Sequence, residues 1–253
     1  MNLSEVKEFL DEKVLQYNAP FFIESDPISI PKKFSLKQDI EIAGFIAATL
    51  AWGQRKAIMK SAEQILEWMD YEPYHFIMNG EWPDLGTTSV YRTFNGEDLI
   101  YFFNSLRNIY MNHGGLEDVF TKGYHSTQTV KGALSYFRGV FTSVGECGRT
   151  GKHVANVDKG SSSKRLNMYL RWMVRKDKMG VDFGLWEKIK MSDLMLPLDV
   201  HTGNVGRKLG ILERKQSDWK SVEEITSVLK SFDTEDPIKY DYALFGLGVF
   251  EKF

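Results

Sequence analysis

The sequence predicts an all-α protein, and three features carry that expectation. Apolar residues recur at i, i+3, i+4 and i+7 in one segment after another, the period of a helix with a buried face. Strand-like alternation is scarce. Helix start signals stand directly ahead of periodic stretches, Asp236 followed by Pro237 being the clearest. At 253 residues the chain is long enough for one large domain or two small ones.

Taken in order, residues 3–16 read as an amphipathic helix with Leu3, Val6, Leu10, Val14 and Leu15 on one face and Ser4 near its N-cap. Residues 19–34 hold Pro20, Pro27 and Pro31 and no helical period, which predicts an extended linker. Ile42, Phe45, Ile46, Thr49 and Leu50 mark a well-buried helix over 38–52, stopped by Gly53, and Ile58, Ala62, Ile65, Leu66 and Met69 a second over 56–69. Gln54 lies in the turn between them. Residues 71–96 suggest a short helix and loop, residues 98–110 another amphipathic helix, and residues 116–120 and 127–144 two more. Further helices are expected over 164–175, after Asp199, over 219–232 and over 237–250, with one more between Lys164 and Asp199.

Composition narrows the classes. Hydrophobic and charged fractions of 43% and 26% are those of a globular protein, so disordered and fibrous classes drop out. No apolar run approaches the roughly 20 residues a membrane helix needs, and the first residues lack the basic and apolar regions of a signal peptide, so a cytoplasmic protein is expected. Cys147 is the sole cysteine, which excludes an internal disulfide and a cysteine-ligated zinc or iron–sulfur site. No cofactor or metal is expected. His75, His113 and His125 have no neighbouring ligand set.

Charge is uneven along the chain. Residues 149–178 carry nine Lys or Arg against Asp158 and Asp177, a net of +7, so the remainder carries −9 of the overall −2. A basic run is usually a solvated face, but this asymmetry also suits one surface for a polyanion. In the helix expected from Lys164, Leu166, Leu170, Met173 and Val174 form the inward stripe while Lys164, Arg171 and Arg175 share the outer face. The small-residue turn ahead of it, Gly160-Ser161-Ser162-Ser163, would offer backbone N–H groups to a phosphate oxygen.

Asp199 follows the apolar run Leu194-Met195-Leu196-Pro197-Leu198 and precedes a short helical pattern closed by Gly210. One role for it is to cap that helix, where free N–H groups favour its carboxylate. The segment Asp199-Val200-His201, with its Arg-bearing helix and Leu-Gly stop, also resembles the Val-Asp-Thr-His segment of the helix-hairpin-helix DNA glycosylases of the endonuclease III type. Three further stretches resemble the same superfamily. Gly160-Ser161-Ser162-Ser163-Lys164-Arg165-Leu166-Asn167 is similar to its hairpin Gly-Val-Gly-Arg-Lys-Thr-Ala-Asn, keeping the first Gly, the Lys and the Asn, with Ser162 replacing the second Gly. Ala47-Ala48-Thr49-Leu50-Ala51-Trp52-Gly53-Gln54 is similar to its helix-to-turn segment, and 240–248 to its closing Ala-Leu-x-x-Leu-Gly helix. Archaeal 8-oxoguanine glycosylases of the superfamily likewise separate the Lys and Asp widely. As a whole the chain resembles an uncharacterised bacterial family within it, a domain of unknown function.

The resemblance implies a two-lobed helical fold, with lobe one at about 38–144 and lobe two at about 1–37 plus 145–253. It implies base excision from duplex DNA by a monomer: a damaged nucleotide is flipped out and its base released as positive charge builds on the sugar. Lys164 and Asp199 would be catalytic, Lys164 as the nucleophile of an accompanying lyase activity. Gln54 would fill the gap left by the flipped nucleotide, and Gly160, Ser162, Arg165, Arg171, Arg175 and His201 would contact DNA. Each has a plainer alternative: a turn glutamine, a solvated lysine, a helix-capping aspartate. The rival at the level of the whole protein is a catalytically silent DNA- or RNA-binding module. A metal-dependent hydrolase built on Asp199 and His201 lacks a third ligand.

Overall fold

The structure, a computed structural model, describes residues 1–253 except for the side chain of Ser25. In chain order the helices are α1 (Leu3–Tyr17), α2 (Phe21–Ser25), α3 (Lys37–Leu50), α4 (Arg55–Trp68), α5 (Pro73–Asn79), α6 (Gly96–Asn112), α7 (Leu116–Thr127), α8 (Val130–Phe141), α9 (Lys164–Val174), α10 (Val200–Lys208), α11 (Trp219–Phe232) and α12 (Tyr240–Gly246). A hairpin of β1 (Ser89–Tyr91) and β2 (Phe94–Asn95) is the strand structure among the described residues. The fold is therefore mostly helical, as the apolar periodicity predicts. Among the described residues no helix is long and apolar enough to cross a membrane.

The chain divides into two compact units. Unit two is Ser25–Asn156, centred on stacked and edge-on rings: Phe45 meets Phe102, Phe137 and Phe141 at 5.4–5.7 Å, and Phe137 stacks on Phe120 at 4.3 Å. The pair α7 and α8 packs tightly enough that Gly123 has no room for a side chain, since a Cβ there would lie 2.7 Å from the Gly132 carbonyl. Unit one joins Met1–Glu24 to Val157–Phe253. In it α1 lies against α12, which also contacts α10, and Phe22 packs on Tyr242 and Phe245. The resemblance implies a division near 38 and 144; in the structure it falls at 24/25 and 156/157.

Local departures have identifiable causes. Asn2, not Ser4, caps α1, exchanging bonds with Glu5 in a capping box. Residues 19–34 are not extended: Pro27 and Pro31 each open a 3-10 turn at the position where a missing N–H costs nothing. The break between α7 and α8 comes at Gln128, in the left-handed region at φ 55°, so the first helix runs longer than expected and the second shorter. Between α9 and α10 there is one 3-10 turn, Met191–Asp193, rather than a helix. The last segment is α12 followed by a π-helical turn, Leu247–Glu251.

Candidate active site

Asp199 stands at the N-cap of α10. Its carboxylate accepts from the Thr202 backbone N–H at 3.0 Å, and its own N–H donates to the Thr202 hydroxyl at 2.8 Å, so both ends of the box are satisfied. The three leucines before it, Leu194, Leu196 and Leu198, are buried and hold the approach in place, helped by Leu196 N–H donating to the Thr226 hydroxyl at 3.1 Å. The capping role is thus present in full. The other carboxylate oxygen, Oδ2, points toward Lys164: the distance to Nζ is 4.0 Å, with 26% of the lysine side chain and 21% of the aspartate's exposed. Two residues 35 apart in sequence form one half-exposed ion pair.

Lys164 opens α9. The turn ahead of it has Gly160 at φ 83° and Ser163 at φ 50°, and Ser163 makes no side-chain cap bond. The Gly160 carbonyl accepts from the Trp219 N–H at 3.0 Å, Ser161 bridges to Asp218, and the Ser162 carbonyl takes the Asn167 amide at 3.1 Å. The turn is thereby anchored to the start of α11. Arg165 is half-buried, and burial pushes its guanidinium down to about 10, still charged at neutral pH.

Arg171 and Arg175 are not on an outer face. Both are buried, at 4% and 1% exposure, and both are engaged by carboxylates from elsewhere in the chain. Arg171 bonds Asp241 and, through Nε, Asp182 at 3.2 Å; Arg175 bonds Asp182 at 2.9 Å, Asp236 at 2.8 Å and Asp177 at 2.9 Å. Tyr242 donates its hydroxyl to Asp182 at 2.8 Å and lays its ring 4.5 Å from the Arg171 guanidinium. The chain after α9 folds back so that Phe183 and Trp186 N–H groups take the Trp172 and Met173 carbonyls, which places Asp182 between the two arginines. Burial opposes the charge of Arg175, but Asp182 and Asp236 hold its pKa above the ordinary value. A buried guanidinium needs such partners, and these two are turned to interior carboxylates rather than to solvent. The expectation that they grip DNA is corrected accordingly.

The rest of the basic run is also dispersed. Arg149 and Lys152 belong to unit two, where Arg149 donates to the fully buried Asp98 at 2.6 Å and to the Thr93 carbonyl at 2.7 Å. Lys159, Lys176 and Lys178 are exposed on unit one. His201, in the first turn of α10, is exposed, with its ring 6.5 Å from that of Phe245; the Asp199 carboxylate is oriented by Thr202 instead. Gln54 is exposed at the N-terminus of α4 in unit two, its carbonyl accepting from Ala57 and Ile58. Among the described residues no group of three or more His, Cys, Asp or Glu is placed to hold a metal ion.

Asp241 escaped the sequence analysis. It lies in the first turn of α12, 4% exposed, bonded to Arg171 and within electrostatic range of Asp199 and Lys164. Burial pushes its carboxyl up to about 6 and the Asp199 charge adds to this, against the pull of Arg171 and Lys164. A signal was present: an acid inside the apolar stretch Tyr240-Asp241-Tyr242-Ala243-Leu244.

Residues 26–250 match the family described as a protein of unknown function, DUF2400. The chain belongs to that family. No curated protein and no solved structure matches it. The matched residues take in Lys164, Asp199, Arg171, Asp182 and Asp241.

Proposed function

We propose that this DUF2400 protein is a DNA base-excision glycosylase with lyase activity, acting as a cytoplasmic monomer on a damaged base in duplex DNA. The observation that carries the proposal is the Lys164–Asp199 pair, with Nζ 4.0 Å from a carboxylate oxygen and both groups partly open to solvent. A nucleophile and a carboxylate that can take its proton are the two groups this chemistry needs. The Lys164 ammonium gives a proton to Asp199, and the freed lone pair forms a bond to C1′ of the flipped nucleotide. The C1′–N bond to the base breaks, its electrons leave with the base, and the base takes up a proton. Ring opening then converts the amine adduct to a Schiff base. Asp199 is fixed in place for this role by its capping box with Thr202 at the N-terminus of α10.

The N-terminus of α9, with Gly160 and Ser162 in the turn ahead, supplies a phosphate contact beside Lys164. Arg165, His201 and the exposed lysines of unit one supply further positive or polar contacts. Borohydride trapping tests the proposal. Lys164→Gln is expected to abolish the trapped adduct while duplex binding survives, and Asp199→Asn to slow base release by roughly 100-fold or more. Binding without base release from any lesion, unaltered by either substitution, would leave the silent nucleic-acid-binding module as the function.

A further inference from the structure

Helix α10 carries Asp199 at its N-cap and Arg207 in its last turn. The Arg207 guanidinium reaches past the end of the helix to the loop that follows. Its Nε donates to the Arg214 carbonyl at 2.9 Å, and one terminal nitrogen donates to the carbonyls of Lys215 at 3.0 Å and Gln216 at 3.4 Å. A planar fork suits neighbouring carbonyls in a way that a single ammonium does not. Room for it is left on the helix itself, since a Cβ at Gly203 would lie 3.0 Å from the other terminal nitrogen. Residues 211–217 form no helix or strand, so bonds of this kind set the shape of the loop. The Ser221 hydroxyl donates to the Gln216 carbonyl, Glu224 accepts from the Glu213 and Arg214 N–H groups, and the Arg214 guanidinium donates to Asp218 at 2.8 Å.

The far end of the loop meets the turn ahead of Lys164. Asp218 bridges to Ser161, and the Trp219 N–H donates to the Gly160 carbonyl at 3.0 Å. Within the turn the Ser161 hydroxyl accepts from the Ser163 N–H at 3.2 Å, and the next residue is Lys164, the first of α9. Its ammonium stands 4.0 Å from the carboxylate of Asp199, back at the start of α10. The contacts close a ring that runs from α10 through Arg207, the loop, the turn and Lys164 to Asp199. Every link in that ring is a hydrogen bond, an ion pair or the chain itself, and all of it lies in unit one.

We propose that Arg207 is a positioning residue for Lys164: by clamping residues 214–216 to the last turn of α10 it fixes the turn at 160–163, and with it the distance from the Lys164 ammonium to the Asp199 carboxylate. The consequence for catalysis rests on the glycosylase function; the positioning itself does not. With the clamp removed, the carbonyls of Arg214, Lys215 and Gln216 turn to water, the loop regains the freedom those bonds had cost it, and the turn bonded to it moves as well. An arginine that did no more than fasten a surface loop would alter local stability and leave the Lys164–Asp199 pair where it is.

The test is zero-length cross-linking with a water-soluble carbodiimide, which joins an amine to a carboxylate only where the two meet, read by mass spectrometry as the linked Lys164 and Asp199 peptides. Lys230 and Asp193, 3.7 Å apart with side chains 38% and 34% exposed, are the internal control in the same unit. In Arg207→Met the Lys164–Asp199 yield is expected to fall about tenfold relative to the Lys230–Asp193 yield, the order of penalty that lost near-contact geometry carries in an intramolecular reaction. Arg207→Lys, with one ammonium in place of the fork, should fall between the two. Equal ratios in wild type and Arg207→Met overturn the proposal, as does a wild type that forms no Lys164–Asp199 link. If Arg207→Met does not fold, Arg207→Lys decides, and a ratio equal to that of wild type overturns it there. No DNA is used. A fallen ratio in a protein whose wild type traps no adduct supports the positioning and ends the glycosylase function; trapping with an unchanged ratio does the reverse.

Discussion

Replacing Arg175 with Met should destabilise the protein while leaving its affinity for nucleic acid intact. The guanidinium makes four charge-assisted contacts in a site 1% exposed, to Asp182, Asp177 and, twice, Asp236. Losing one partner of a buried pair costs about 3–5 kcal/mol because the remaining charge stays behind. Here the acids left behind are partly provided for. Asp182 keeps Arg171 at 3.2 Å and the Tyr242 hydroxyl at 2.8 Å, Asp177 keeps the Asn18 amide and two backbone N–H groups, and the Asp236 side chain is 16% exposed and can hydrate. The low end, about 3 kcal/mol, is therefore expected, which lowers Tm by roughly 6–12 °C in a chain of this size. Thermal unfolding followed by circular dichroism at pH 7 measures it. The loss should shrink below about pH 4, where the stranded carboxylates take up protons and no longer need a counter-charge. A solvated arginine would change stability by no more than about 0.5 kcal/mol; a Tm within roughly 2 °C of wild type, with weaker duplex binding and a flatter salt dependence, would refute the buried assignment.

Three further outcomes follow from the same geometry. Asp241 has a folded pKa raised to about 6 against about 3.8 unfolded, so the native state binds the extra proton between those values and its stabilising contribution is lost as pH rises through 6, by about 3 kcal/mol in all; denaturant midpoints should fall from pH 4.5 to 7.5 in wild type and stay level in Asp241→Asn. Gly123→Ala should cost about 1–3 kcal/mol, since the added Cβ meets backbone of α8 rather than a movable side chain, and urea unfolding of the variant with an unshifted midpoint would contradict that packing. Arg149→Ala should cost about 1–3 kcal/mol by leaving the fully buried Asp98 with the Thr150 hydroxyl, one backbone N–H and the His153 ring at 3.3 Å, and should leave the duplex-binding salt slope unchanged; a reduced slope at unchanged stability would return Arg149 to the binding surface.

The helical periods were legible because each is local: α3, α4, α6, α9 and α11 fall within a residue or two of where their apolar residues place them, and the Asp199 cap is closed three residues on, at Thr202. Arg171 and Arg175 were misplaced for the opposite reason. Their spacing puts them on one face of α9, but whether that face meets water depends on Asp182, Asp236 and Asp241, which arrive from up to 70 residues away. From Leu166 to Val174 the helix is buried on every side, so the polar stripe that normally marks the solvent face marks an interior charge cluster. The prolines at 27 and 31 misled in a smaller way, since each suits the first position of a turn as well as an extended path. Juxtaposition of Lys164 with Asp199 came from the resemblance, because no local rule brings residues 35 apart within 4.0 Å.

The most direct test of the central claim is borohydride trapping of wild type and Lys164→Gln on duplex oligonucleotides that each carry one of a panel of damaged bases. The account predicts a covalent protein–DNA adduct with at least one lesion for the wild type, none for Lys164→Gln, and equal duplex binding by both. Wild-type protein that binds the duplexes but forms no adduct and releases no base from any of them, indistinguishable from Lys164→Gln, would contradict it.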